Sequence, residues 1–86
     1  MNMHVLVDKS LFTNMQWKLV HMLLDGQAHS YEDLKLEAGD ELMNNPDLSR
    51  HITNVRKKLA PYGLDVICVW QNRKRQYRMI RPIVTS

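Results

Sequence analysis

Residues 45–60 read NPDLSRHITNVRKKLA and give the strongest structural signal in the chain. Pro46 favours the start of a helix, because proline at the first helical position loses no hydrogen bond and already has a helical φ. Pro61 and Gly63 follow the stretch, and both residue types stop helices. These signals together predict a helix over about residues 46–60.

The predicted helix has two faces of opposite character when it is wound at about 100° per residue. An apolar seam on one face consists of Leu48, Ile52, Val55 and Leu59. The opposite face carries cationic and hydrogen-bonding side chains, namely Arg50, Thr53, Asn54 and Lys57, with His51, Arg56 and Lys58 on its flanks. A merely soluble helix usually mixes charges of both signs. An outward face that we expect to contain no acid therefore indicates a polyanionic partner.

A change of period after Gly63 predicts a hairpin over about residues 65–81. Residues 66–70 (VICVW) are rich in β-branched and aromatic side chains, and residues 76–80 (QYRMI) alternate apolar with polar. Residues 71–75 (QNRKR) between them are wholly polar and strongly basic, so we expect a loop that projects into solvent. The candidate contact residues of this loop are Asn72, Arg73, Lys74 and Arg75.

The first half of the chain predicts a helix over about residues 14–25. Thr13 followed by Gln16 fits a capping box. Phe12 and Trp17 fit the hydrophobic staple that accompanies such a box.

A second, two-turn helix is predicted over about residues 31–38. Ser30 is its expected cap, and Gly39 ends it. The β-branched run HVLV at residues 4–7 predicts a short N-terminal edge strand.

Length and composition indicate one folded domain over residues 1–86. The chain is 44 % hydrophobic and 24 % charged, which is typical of a globular protein of this size. A single cysteine, Cys68, cannot make an intramolecular disulfide, so we expect the reducing cytoplasm as the compartment. We expect the Cys68 side chain to be buried as a small hydrophobic group. No apolar run approaches the roughly 18 residues of a membrane span, and no signal peptide is evident.

The charge of the chain is polarised along the sequence. Residues 1–49 carry three basic and eight acidic side chains, a net charge of −5, whereas residues 50–86 carry nine basic and one acidic, a net charge of +8. Such asymmetry focuses a positive potential on one region, as a polyanion partner requires.

The sequence contains no constellation of catalytic residues. A Gly-rich phosphate loop, a nucleophile motif and a Cys/His cluster with metal spacing are all missing from it. The four histidines are scattered singly, at His4, His21, His29 and His51, and we expect surface or packing roles for them. We therefore expect no enzyme, no metal and no cofactor.

Residues 48–59 (LSRHITNVRKKL) resemble the recognition helix of the C-terminal effector domains of OmpR/PhoB-type response regulators, which reads as hIxxLRxKL. The two β-rich runs are similar to the wing strands of that family, and residues 22–26 (MLLDG) fit the end of its first helix. The resemblance covers roughly residues 11–81. It implies an α+β fold, a three-helix winged helix-turn-helix with a C-terminal β-hairpin wing.

The resemblance also implies a function, which is sequence-specific binding of double-stranded DNA to regulate transcription. Helix three would enter the major groove, where Arg and Asn can make bidentate contacts to guanine and adenine edges. Arg50, Thr53, Asn54 and Lys57 would read bases, and Arg56 and Lys58 on the flanks of the helix would also contact the DNA. The wing would reach the backbone or the minor groove.

The chain departs from the family at two points. The Gly-x-Gly-Tyr turn of the wing is replaced by NRKRQY at residues 72–77, which predicts a longer and more cationic tip. No phosphoacceptor receiver domain accompanies the motif, and at most one N-terminal strand stands where the family has a small sheet. The resemblance therefore does not imply regulation by phosphorylation, and we expect a free-standing regulator.

Two alternatives to specific DNA binding stay open at this point, together with the question of pairing. The same fold could be a protein-interaction module that docks on another regulator or on the transcription machinery, since fold does not fix function. A nonspecific or RNA-binding role would favour aromatic residues among the basic ones; only Trp70 and Tyr77 flank the loop, and we expect strand packing to explain both. Two copies could also pair as a homodimer on adjacent half-sites.

Overall fold

The computed structural model describes residues 7–39 and 43–82 of the chain. Within these ranges it is an α+β fold with three α-helices and a three-stranded antiparallel sheet. The helices are α1 (Asn14–Leu23), α2 (Tyr31–Ala38) and α3 (Asn45–Leu59). The strands are β1 (His29–Ser30), β2 (Asp65–Gln71) and β3 (Lys74–Ile80), in the order β1-β3-β2. No helix of the described ranges is long and apolar enough to cross a membrane.

The capping box predicted for α1 is confirmed. The Thr13 side chain accepts a hydrogen bond from the backbone N–H of Gln16, and the Gln16 side chain accepts one from the backbone N–H of Thr13, both at 3.1 Å. The staple is present as well, since the ring centroids of Phe12 and Trp17 lie 6.0 Å apart. The helix ends at Leu23, slightly before the predicted end.

The ends of α2 and the start of α3 are also set by local side chains. Ser30 caps α2, and Gly39 ends it in the left-handed conformation at φ +81°, as predicted. The start of α3 at Asn45 is one residue earlier than predicted. The reason is that Asn44 supplies the cap, its side chain accepting a hydrogen bond of 2.8 Å from the backbone N–H of Asp47.

The hairpin is confirmed, but its tip differs from the prediction. We expected a loop over residues 71–75, whereas β2 continues through Gln71 and β3 begins at Lys74, so only two residues form the turn. Asn72 and Arg73 both have positive φ, +54° and +60°, as in a type I′ turn, whose twist matches that of the paired strands. The polarity of residues 71–75 predicted their exposure correctly, but polarity does not indicate at which residues the pairing of β2 with β3 ends.

The sequence does not predict the third strand, β1, because two residues are too few to show an alternating pattern. It pairs with β3 so that His29 lies opposite Tyr77. Of the N-terminal strand predicted over residues 4–7, residues 4–6 lie outside the described residues, and Val7 belongs to no strand.

The core lies beneath α3, as the seam of that helix predicts. The four seam residues are buried, and they pack in one cluster with side chains of α1, α2 and the hairpin, among them Leu19, Leu23, Leu34, Val66 and Met79. Because this seam points inward, the opposite face of α3 points to solvent.

Two expectations about the strands are wrong. Cys68 is exposed, not buried, and Trp70 is 71 % exposed, whereas Tyr77 is buried as expected. Strand alternation puts Val66, Cys68 and Trp70 on one face of β2. Only Val66 of these three is buried, because Cys68 and Trp70 line open clefts between the hairpin and the helices.

Candidate nucleic-acid interface

The outward face of α3 carries the four predicted base-reading residues, and all four are exposed: Arg50, Thr53, Asn54 and Lys57. The side chain of Arg50 is 75 % exposed. The hydroxyl of Thr53 donates a hydrogen bond of 2.9 Å to the backbone carbonyl of Ser49, one turn earlier. These side chains are exposed because they lie opposite the buried seam of the same helix.

The expectation that this face contains no acid is wrong at its first turn. A carboxylate oxygen of Asp47 lies 3.9 Å from a guanidinium nitrogen of Arg50, three residues later on the helix. An acid is favourable at this place because the N-terminus of a helix carries partial positive charge. Beyond the first turn, the face remains cationic and hydrogen-bonding.

Arg56, predicted to contact DNA, is instead paired with an acid of the hairpin. Its Nε and Nη2 atoms donate to the two carboxylate oxygens of Asp65 at 2.7 and 3.3 Å. The guanidinium holds the pKa of the Asp65 carboxyl below its ordinary value of 3.8, and the carboxylate in turn raises the pKa of Arg56. This bidentate pair ties α3 to the first residue of β2 and so fixes the base of the hairpin.

Lys58, the other flanking cation, is directed towards α1. Its Nζ atom donates a hydrogen bond of 2.6 Å to the side-chain oxygen of Gln16 and lies 5.6 Å from the ring centroid of Phe12. The lysine therefore joins the end of α3 to the cap of α1, away from the exposed stripe. Like Arg56, it stabilises the fold in this structure.

The predicted residues of the hairpin tip, Asn72, Arg73, Lys74 and Arg75, are all exposed. A cleft of about 500 Å³ joins this tip to the first turns of α2 and α3. Its lining consists of Tyr31, Glu32, Asn45, Pro46, Ser49, Trp70, Arg73, Lys74 and Arg75. Three predicted cations of the hairpin thus lie beside the start of α3.

Two further clefts continue this line along α3. One, of about 430 Å³, lies between Ser49 and Thr53 of the helix and Cys68 and Tyr77 of the sheet. The other, of about 510 Å³, lies at the base of the hairpin and is lined by Thr53 and Lys57 among others. Because neighbouring clefts share Ser49 or Thr53, they follow one edge of α3, which holds Thr53 and Lys57 of the exposed stripe. Arg50 and Asn54 line none of these three clefts.

A pair of tyrosines sets the distance between the hairpin and the helices. The rings of Tyr31 and Tyr77 stack nearly parallel, at 5°, with centroids 4.9 Å apart. The Tyr77 hydroxyl is 3.0 Å from the hydroxyl of Ser49 on α3. Burial, together with hydrogen bonds to Tyr77 and Cys68, raises the pKa of the Tyr31 phenol above its ordinary range. The strand β3 is thereby joined to both α2 and α3.

The sequence does not single out two residues of this side, Tyr31 and Ser49, because their contacts join elements that are distant in sequence. It does single out Trp70, but strand packing was expected to explain that residue. A large aromatic residue directly before a basic segment is also typical of nucleic-acid contacts.

No three His, Cys, Asp or Glu side chains within residues 7–39 and 43–82 lie close enough together to hold a metal ion. Comparisons of the chain with protein-family models, with curated proteins and with solved structures found no match.

Proposed function

We propose that the protein is a winged helix-turn-helix domain that binds double-stranded DNA sequence-specifically and regulates transcription. In this proposal α3 is the recognition helix in the major groove, and the β2–β3 hairpin is the wing on the adjacent backbone or minor groove. The observation that carries the proposal is that a continuous line of clefts runs from the cationic hairpin tip along the edge of α3 that holds Thr53 and Lys57 of the exposed stripe.

The chemistry of the exposed stripe suits base recognition. Arg50 and Asn54 are of the residue types that contact guanine and adenine through two hydrogen bonds in the major groove. Thr53 and Lys57 add a hydroxyl and a charge on the same exposed face. A helix that only kept the fold soluble would not need side chains that can make two hydrogen bonds to one base.

The hairpin tip suits phosphate binding. Arg73, Lys74 and Arg75 follow one another in sequence and are exposed, so each can approach a phosphate. Such contacts release counterions, and they make affinity fall steeply with salt without reading sequence. The proposed division of labour is therefore base reading by α3 and anchoring by the wing.

The proposal is tested by comparing Asn54→Ala with Lys74→Ala on a site selected from a random pool of duplex oligonucleotides. Asn54→Ala is expected to relax the preference at one base position, at a cost of about 1–3 kcal/mol for the preferred base. Lys74→Ala is expected to weaken binding to all sequences alike and to reduce the slope of log affinity against log salt by about one. Lys18→Ala, a change at an exposed cation of α1, is the matched control and should leave both quantities unchanged.

If the pool yields no enriched site, and if both variants bind a random duplex as tightly as the wild type does at moderate salt, the proposal is overturned. A stoichiometric protein partner that competes with DNA would then favour the protein-interaction module instead.

A further inference from the structure

Trp70 is a large aromatic side chain that the fold does not bury. Leu11, Leu36 and Trp70 are the large hydrophobic residues exposed within the described ranges, and Trp70 is the most exposed of them. Its strand partner is Arg75, which lies directly opposite on β3. Tryptophan offers more apolar area than any other side chain, so its exposure beside cations indicates a contact surface.

The surroundings of Trp70 combine apolar and cationic groups. The indole lines the 500 Å³ cleft together with Arg73, Lys74 and Arg75, and Pro46 and Ser49 of α3 also line it. One acid is among the lining residues, Glu32 of α2, so cations outnumber acids three to one. A ligand that suits this cleft carries both an apolar face and negative charge.

The proposed function identifies where such a ligand would lie, and the inference rests on it. If α3 occupies the major groove and the tip of the wing reaches the adjacent minor groove, the strand backbone that separates the two grooves must pass between α3 and the hairpin. The cleft beside Trp70 is this gap. A backbone of duplex DNA presents deoxyribose rings and phosphates there, because its bases are stacked and paired inside the helix.

We infer that Trp70 packs its indole against the deoxyribose of this backbone strand, while Arg75, whose side chain lies on the same face of the hairpin, binds an adjacent phosphate. The contact adds affinity without reading sequence, because every nucleotide has the same sugar. It also adds affinity without adding charge, so it responds to salt differently from the neighbouring cations. Trp70 is therefore an anchoring residue of the wing.

The test compares Trp70→Ala and Trp70→Phe for binding to the selected duplex and to a scrambled duplex over a series of salt concentrations. Trp70→Ala is expected to weaken binding to both duplexes by a similar factor, about tenfold, with an unchanged salt slope. Trp70→Phe keeps an aromatic plane and should retain most of the affinity. Leu36→Ala is the matched control, because Leu36 is 60 % exposed on α2 and lines none of the three clefts.

A second measurement follows the indole itself. In a Trp17→Phe background, acrylamide should quench Trp70 fluorescence strongly in the free protein and weakly in the duplex complex. Quenching that stays the same when duplex binds overturns the inference, whatever the affinities.

The failures of the two proposals are distinguishable. If Trp70→Ala binds duplex as the wild type does while Lys74→Ala still loses affinity, the sugar contact is wrong and the DNA-binding function stands. A loss confined to single-stranded DNA would mean that Trp70 stacks on unpaired bases, and a loss confined to one base step would mean that it reads sequence; either result overturns the inference. If the wild type binds no duplex, the proposed function itself fails.

Discussion

Arg73 occupies a backbone conformation that disfavours its side chain. Its φ of +60° lies in the left-handed region, which asparagine tolerates well at position 72 but which costs other non-glycine residues about 1–2 kcal/mol. Glycine would fit this second turn position best, since Asn-Gly is a preferred pair for two-residue hairpin turns. An arginine held there at a cost in stability is consistent with a functional need for its charge.

Arg73→Gly is expected to stabilise the protein and weaken its binding to DNA at the same time. Relief of the left-handed strain, offset by the greater freedom of glycine in the unfolded chain, should raise the free energy of unfolding by about 0.5–1 kcal/mol. Loss of one phosphate contact should reduce the salt slope by about one. Urea unfolding and salt-dependent titration measure the two effects, and Lys74→Ala, which removes a charge outside the turn, is the control. Unfolding at a lower urea concentration than the wild type would contradict the prediction.

The elements that depend on sequence neighbours were predictable from the sequence. The capping box of α1 and the buried seam of α3 both depend on residues that are three or four positions apart. By contrast, β1 has only two residues, so its pairing with β3 produces no hydrophobic periodicity in the sequence. The length of the hairpin relative to the core was equally hidden, because alternation assigns Trp70 to a face but cannot tell whether a helix covers that face.

In the candidate site, the sequence predicted which residue types are present. It did not predict which of the cations bind other side chains of the same chain. Sequence reasoning put Arg56 and Lys58 beside the exposed stripe of α3, and both lie on its flanks. Their engagement depends on Asp65 and Gln16, which the sequence separates from them by 9 and 42 positions.

The pair of Arg56 and Asp65 joins two elements, and its contribution should depend on pH. Folding lowers the pKa of Asp65, so the stabilisation is present above the unfolded value of about 3.9 and is lost as pH falls through the lower folded value. Both side chains are partly exposed, so the contribution at neutral pH should not exceed about 1 kcal/mol.

Asp65→Asn should therefore unfold at a slightly lower urea concentration than the wild type at pH 7, and the difference should shrink only below pH 3.8. A cycle with Arg56→Ala and the double variant isolates the coupling between the two side chains. A difference that stays constant down to the acid transition would show that the pair is not its source.

The charge of the whole chain is divided along its sequence. Residues 1–49, which include α1 and α2, have a net charge of −5, and residues 50–86, which include most of α3 and the hairpin, have +8. Under the proposed function, the basic half attracts the duplex and steers the encounter before any contact forms.

The three cations of the hairpin tip, Arg73, Lys74 and Arg75, predict the salt dependence of the complex. If each contacts one phosphate, the slope of log affinity against log salt is about −3 for one chain and about twice that for two chains on adjacent half-sites. Light scattering of the complex gives the number of chains independently. We expect the steeper slope and two chains on DNA; a strict monomer with and without DNA would rule out the pairing.

The short strand β1 makes the direction of the hairpin depend on residues far away in the sequence. His29 pairs with Tyr77, 48 positions later, and closing so long a loop costs entropy that a two-residue turn does not. A hairpin by itself forms within microseconds, whereas β1 can join it only after the helices have docked. Ser30 both pairs in β1 and caps α2, so this late closure orders the start of α2 in the same step. We therefore expect the β1–β3 pairing, which fixes the angle between the hairpin and the helices, to form last during folding. We expect the same pairing to break first when the native state opens.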